Sequence, residues 1–353
     1  MSSLVSITAT SPTREPIASH VIHDLPVIVL SPHNRCNCRC MMCDIWRIRE
    51  ARSITPAELD KQLPAFRDFG VRWVVFSGGE PQLNDDWFVL ARMLRSEGIR
   101  VTILTAGLLL ESQAELVASS IDDLIVSLDG PATVHNQIRR VPGAFQQLAA
   151  GVRAVRQLRP ELGVRARCTV QKANYRSLIE TLRSAKEIGL NSISFLAADA
   201  TSEAFNRQDG WPEERQERIM LDTGETDALE REIEQLIAEN VEDLKSGFVT
   251  ENESKLRRIV RHFRAHLGQS GYQAPRCNAP WVSAVIDASG EVRPCFFHAP
   301  IGNIHTQSLR EVLNGPQALR FRSELDVATN SLCQKCVCSL YLQQENNPVA
   351  ATA

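Results

Sequence analysis

From Val27 to about Ala200, short apolar runs rich in β-branched residues alternate with stretches whose apolar positions recur at helical spacing. The runs Val27–Ser31, Trp73–Ser77, Arg100–Thr105, Asp122–Leu128, Val164–Val170 and Ser192–Ala197 have the length and composition of strands. Between them lie amphipathic segments such as Thr55–Phe69 and Tyr175–Ile188. Thr55-Pro56-Ala57-Glu58 has the form of a capping box, with Pro at the first helical position and Glu three residues after Thr. About six β and α alternations predict a parallel sheet with its helices outside, either barrel-like or doubly wound.

From about Thr201 to Ser270 the pattern turns helical and strongly charged. Leu229, Ile233, Leu236, Ile237, Val241 and Leu244 form one apolar stripe, and Leu256, Ile259, Val260, Phe263 and Leu267 a second. Lys255, Arg257, Arg258, Arg261 and Arg264 on the second segment admit two readings, an anion site or a solvated face beside the acidic preceding helix. The acidic neighbour favours the solvated face. From Gly271 to Leu342 the chain is richer in Cys, Pro and Gly, with a short strand at Val282–Ile286 and a turn at Ala288-Ser289-Gly290. The expected organisation is an amino-terminal tail (1–26), a βα core (27–200), a helical segment (201–270), a small α+β domain (271–343) and a flexible tail (344–353).

The 353 residues carry 39 Lys+Arg against 42 Asp+Glu, a net charge of −3. Without a basic excess there is no electrostatic case for binding nucleic acid or an anionic membrane. No stretch approaches the ~20 apolar residues of a membrane span, and the first 25 residues have no signal-peptide core. The expectation is a cytoplasmic protein with reduced thiols. A chain of this length buries a core without stapling, so its ten cysteines read as metal ligands rather than cross-links.

Cys36-x3-Cys40-x2-Cys43 follows the first strand directly. Three thiolates on a compact loop can hold three irons of a four-iron cluster and leave the fourth open to a reactant. On spacing alone a zinc knuckle is the alternative, completed by Cys38 or His33. A second set, Cys277, Cys295, Cys333, Cys336 and Cys338, contains a Cys-x2-Cys pair and on spacing alone also suits structural zinc.

The first spacing, placed after the first strand of a βα array, resembles the radical S-adenosylmethionine (SAM) superfamily. Ser77-Gly78-Gly79-Glu80-Pro81, ending the second strand, is similar to the family's glycine-rich segment that binds the SAM amino group. Glycines permit close backbone approach there, and Glu80 can accept from an ammonium. Ser127-Leu128-Asp129-Gly130-Pro131, with His135 and Arg139 following, resembles the segment after the family's fourth strand. That resemblance implies Ser127 and Arg139 as SAM contacts. Thr105-Ala106-Gly107 departs from the usual Thr-Asn-Gly and removes a polar contact at position 106. Met42 stands where the family often has an aromatic near adenine, and Asn174 falls where a further SAM contact or a surface turn is expected. Asp44 and Trp46 are expected to support the cluster loop, or Trp46 to pack in the core. Cys38 and Cys168 are expected to have no ligand role.

Gly290-Glu291-Val292-Arg293-Pro294-Cys295, Ile301-Gly302-Asn303-Ile304 and the Cys pair resemble the SPASM auxiliary-cluster domain, and five cysteines suit its shortened twitch form better than the full one. The resemblance implies Cys277, Cys295, Cys333 and Cys336 as ligands of a second 4Fe-4S cluster, with Cys338 the substitute for Cys336. Together the likenesses imply a partial (β/α)6 barrel of the radical SAM type with a small C-terminal α+β domain. They also imply a 4Fe-4S cluster on Cys36, Cys40 and Cys43, bound SAM, and a flavodoxin- or ferredoxin-type reductant. The favoured substrate is a small metabolite or cofactor precursor. The ~25 residues before the first strand are too few for a peptide-recognition domain, which disfavours a peptide substrate. A peptide modifier and a non-enzymatic iron–sulfur or zinc redox sensor are the alternatives. No spacing isolates a general acid or base.

Overall fold

The structure is a computed structural model and describes residues 20–343. Six strands run parallel in sequence order: β1 (Val27–His33), β2 (Trp73–Gly78), β3 (Arg100–Thr105), β4 (Asp123–Ser127), β5 (Gly163–Val170) and β6 (Ser192–Ala197). The sheet does not close on itself, so the architecture is the partial barrel expected. It continues beyond β1 with β7 (Ser283–Ile286), then antiparallel β8 (Glu291–Arg293) and β9 (Gly302–Asn303), in the order β6-β5-β4-β3-β2-β1-β7-β8-β9. β7 lies parallel to β1, from Val27↔Ser283 to Leu30↔Ile286. The C-terminal unit therefore shares a sheet with the core.

β5 shows how the layers arise. Val164, Ala166, Cys168 and Val170 are buried, while Arg165, Arg167 and Thr169 between them are half-buried and face the other way. A period of two places one set against the helices and the other toward the concave side. The core beneath the helices is built from residues such as Phe66, Phe76, Trp87, Leu90 and Leu94, all fully buried.

Two predicted helices are broken. Thr55 and Glu58 form the capping box, but the helix beyond it splits into Pro56–Asp60 and Leu63–Asp68. Pro64 lacks an N–H and its ring clashes with the carbonyl four residues earlier, so an unbroken helix cannot pass it. The first apolar stripe divides between Thr223–Glu239 and Val241–Ser246, where the Asn240 side chain donates to the Leu236 carbonyl at 3.0 Å. Val241 drops out of the stripe and is 43% exposed.

Part of the expected tail belongs to the body. Ile22 and Leu25 are buried, Asn314 bonds both the N–H and the carbonyl of Ile22 at 2.8 Å, and buried Arg322 donates to the His20 carbonyl. The rest of that tail, 1–19, and the tail expected at 344–353 lie outside the described residues.

Candidate functional site

Cys36, Cys40 and Cys43 sit on the loop leaving the carboxyl end of β1, and all ten cysteines are free thiols. Each of the three sulfurs faces a donor. The Cys38 N–H lies 3.5 Å from Cys36 Sγ, the Ile45 N–H 3.4 Å from Cys43 Sγ, and Arg139 Nη1 3.5 Å from Cys40 Sγ. Hydrogen bonding from Cys38, with Arg139 beside it, pulls the Cys40 thiol down against its burial. Cys38 is buried against Cys36 and Cys40, and its hydrogen bonds to both hold it as a thiol. Burial pushes Cys43 up to about 12. The Arg139 guanidinium and Cys38 favour thiolate at Cys40, the form that binds iron, whereas at Cys43 burial outweighs the Ile45 N–H. Met42 packs with Ala106 and Leu108 against this loop.

The glycine-rich turn is pressed onto the start of the same loop. Gly79 N–H donates to the His33 carbonyl at 3.2 Å and Glu80 N–H to the Arg35 carbonyl at 2.8 Å. Gly78 has φ +94°, and a Cβ on Gly79 would collide with the Arg35 carbonyl, so both positions require glycine. The backbone of Gly78 and Gly79 faces a cavity of about 490 Å³, shared with Ser31, Phe205, Arg207 and Asp287.

Glu80 does not line that cavity. Its carboxylate is buried and accepts from Thr105 Oγ1 (2.8 Å), Ala106 N–H (2.8 Å) and Gln82 N–H (3.3 Å), and burial pushes it up to about 7. It ties the end of β2 to the end of β3. Arg139 is likewise engaged, pairing with Asp129 at 2.5 Å as well as facing Cys40, while its Nε has no hydrogen-bond partner. Ser127 ends β4, half-buried, in register with Arg167. His135 accepts the Asp129 N–H through Nδ1 at 3.2 Å, and burial lowers it to about 3. Asn174 is neither at the cavity nor on the surface. It is buried and bonds the carbonyls of Asp129 (2.9 Å) and Thr169 (3.0 Å). Cys168 is buried on the helix side of β5.

The support behind the cysteine loop was only partly visible in the sequence. Asp44 accepts from Trp211 Nε1 (2.6 Å) and both terminal nitrogens of Arg215 (2.6 and 2.5 Å), and pairs with Arg47 (2.8 Å). Burial works against the charge, but these donors hold its carboxyl below the usual range. Trp46 Nε1 bonds the Cys43 carbonyl at 2.8 Å. Buried Arg207 joins Asp199 (2.8 Å) to the Met42 carbonyl (2.5 Å). Arg207, Trp211 and Arg215 went unrecognised because residues 201–270 read as packing helices; a tryptophan between arginines in a polar stretch was the available signal.

The second cysteine set converges. Cys277, Cys295, Cys333, Cys336 and Cys338 line one small cavity of about 110 Å³, with His298 Nε2 3.4 Å from Cys333 Sγ. Cys336 Sγ donates to the Cys338 carbonyl at 2.9 Å. Burial pushes Cys295 up to about 11 and Cys333 up to about 12, and raises Cys336 also. Five cysteines around one hollow are enough to ligate a cluster wholly by protein, although among the described residues no three metal-ligating side chains are already gathered tightly enough to hold a metal ion.

Residues 30–198 match the profile of the Radical SAM superfamily, and residues 277–337 that of an iron-sulfur cluster-binding domain. The chain belongs to the radical SAM superfamily and carries a C-terminal iron–sulfur cluster-binding domain. It is 32% identical over 162 residues to the AdoMet-dependent heme synthase of Methanosarcina barkeri, spanning 44% of this chain and 45% of that relative. It is 27% identical over 308 residues to the pre-heme d1 synthase of Dinoroseobacter shibae, spanning 83% of this chain and 74% of the relative. In fold it is similar to the crystal structure of Streptococcus suis SuiB bound to the precursor peptide SuiA, with TM-score 0.64, 17% identity, and 96% and 80% of the two chains covered. Among the described residues no helix is long and apolar enough to cross a membrane.

Proposed function

We propose that this chain is an enzyme that cleaves SAM reductively to start a hydrogen abstraction from a small metabolite or cofactor precursor. When bound, the cluster and SAM supply one-electron cleavage of the sulfonium to methionine and a 5′-deoxyadenosyl radical. The chain's own part is to hold and to exclude. Cys36, Cys40 and Cys43 hold the first cluster, Arg139 and two backbone N–H groups stabilise their thiolates, and the Gly78–Gly79 backbone leaves room for SAM beside them. Ser127, which like Glu80 and Arg139 lies outside the lining of that cavity, is proposed as a polar SAM contact on the family resemblance. Cys277, Cys295, Cys333 and Cys336 hold an auxiliary cluster that assists electron transfer. A flavodoxin- or ferredoxin-type reductant and a cytoplasmic location complete the reading.

The observation that carries it is the cysteine loop, with three donor-facing sulfurs pressed against a turn only glycine can form. Relatives named as heme synthases make precursors of heme-type cofactors the first substrates to test. The test is anaerobic reconstitution with iron and sulfide, dithionite reduction and addition of SAM. 5′-Deoxyadenosine is expected, with deuterium entering it from a labelled substrate. Its absence from a protein holding its full iron would overturn the proposal.

A further inference from the structure

The Glu253–His266 helix carries its basic residues on two different faces. Arg257 is neutralised by Glu234 (2.7 Å) and Glu253 (3.0 Å), and Arg264 by Asp227 (3.0 Å) and Glu230 (2.6 Å). These two bear out the solvated-face reading. Lys255 and Arg261 are exposed too but, like half-buried Arg258, make no ion pair with the preceding helix. They line a cavity of about 170 Å³ together with Arg167 from the concave side of β5, and among the described residues none of the four has an ion-pair partner.

One carboxylate, Glu251, lines the same cavity, but its Oε2 is taken by the Phe195 N–H at 2.8 Å. Arg167 Nε is buried without a hydrogen-bond partner. Arg258 Nη2 donates to the Cys336 carbonyl at 3.2 Å, and Cys336 and Cys338 line both this cavity and the cysteine hollow. Four cations with one carboxylate among them repel one another, and the half-buried Arg167 and Arg258 also lose hydration, while Lys255 and Arg261 stand exposed at the rim. An entering anion offsets both costs. Guanidinium forks from two elements suit planar, multidentate oxyanions.

We infer that the cavity between β5, β6, the Glu253–His266 helix and the C-terminal cysteine loop binds oxyanion substituents of the substrate, carboxylates or a phosphate ester, beside the auxiliary cluster. The inference rests on the proposed function only in making that anion part of the substrate.

The test uses the full chain, reconstituted with iron and sulfide, and two probes, pyromellitate and inorganic pyrophosphate, titrated calorimetrically at fixed ionic strength. Saturable binding of at least one probe is expected, weakened about tenfold or more in Arg258→Gln/Arg261→Gln and unchanged in Arg257→Gln/Arg264→Gln. The tighter probe identifies the oxyanion, carboxylate or phosphate. No binding by either probe, or equal loss in both double variants, would overturn the site. Substrate-free 5′-deoxyadenosine formation, measured on the same samples, separates the two proposals. A loss of probe binding with SAM cleavage intact confines the defect to this cavity. Intact probe binding without SAM cleavage would sink the proposed function and leave the anion site standing.

Discussion

The two cysteine sites differ in what stands behind them. The loop at 36–43 is held from behind by buried charge: Asp44 takes donors from Arg47, Trp211 and Arg215, Arg207 links Asp199 to Met42, and Arg139 bridges Asp129 and Cys40. Its sulfurs face donors before any iron arrives. In the hollow at 277–338 five cysteines line one small cavity, and burial raises Cys295, Cys333 and Cys336 toward the neutral thiol. Like Cys43 in the first loop, which burial pushes up to about 12, these thiols must lose protons as metal binds. The first loop is braced by ion pairs behind it, whereas the donors at the second hollow are His298 and the backbone, so the second is expected to depend more on its cluster.

The largest expected effect removes the first site outright. Cys36→Ala/Cys40→Ala/Cys43→Ala should abolish 5′-deoxyadenosine formation and lower bound iron from about eight to about four per chain. The auxiliary site should keep its iron, since the two sets share no ligand. Iron assay with Mössbauer spectroscopy checks this; loss of all iron would show that the two sites are not independent.

Next comes the scaffold behind the loop. Asp44→Ala leaves Arg215 and Trp211 without their acceptor, and breaking one side of a buried, multiply bonded ion pair costs roughly 3 kcal/mol. Thermal unfolding should show the loss, and iron retention should fall at the first site before the second. Equal losses at both would erase the contrast drawn above.

This support also marks how far the sequence can be read. The six core strands are evident because each is a β-branched run bounded by helical spacing, and the cysteine and glycine motifs stand in a short, local register. The Asp44 clamp is not evident, because its partner Arg215 lies 171 residues away and only the fold brings them together. The pairing of β7 with β1 is non-local in the same way. Glu80 illustrates a different gap: the direction of its side chain depends on Thr105 and Ala106, which a linear pattern does not display.

Glu80 yields the third prediction. Its carboxyl is raised to about 7 in the folded state, against about 4.5 when unfolded. Below 4.5 both states are protonated and the group's contribution is fully present. As pH rises toward 7 the unfolded chain releases its proton while the folded one retains it, and the contribution is lost, roughly 3 kcal/mol over that window. Glu80→Gln should remove one proton's worth of slope from a stability profile measured between pH 4.5 and 7, at the constant cost of one mismatched hydrogen bond. An unchanged slope would show that the Glu80 carboxyl titrates normally and that the turn is less enclosed than the first site requires.

The smallest effect distinguishes the members of the crowded second hollow. Four ligands suffice for a cluster, so one of five sulfurs is spare. Cys338 is the exposed member, whereas Cys336 is half-buried, and its chain position is fixed by a bond from Arg258 to its carbonyl. The Cys336 thiol now donates to the Cys338 carbonyl, a bond that deprotonation by iron would release. Cys338→Ala should therefore leave iron content and the spectroscopic signature of the second cluster unchanged, while Cys336→Ala should reduce both. The reverse outcome would make Cys338 the ligand. Equal retention in both variants would mean that either sulfur can complete the cluster, and that the second site tolerates exchange that the donor-lined first loop does not.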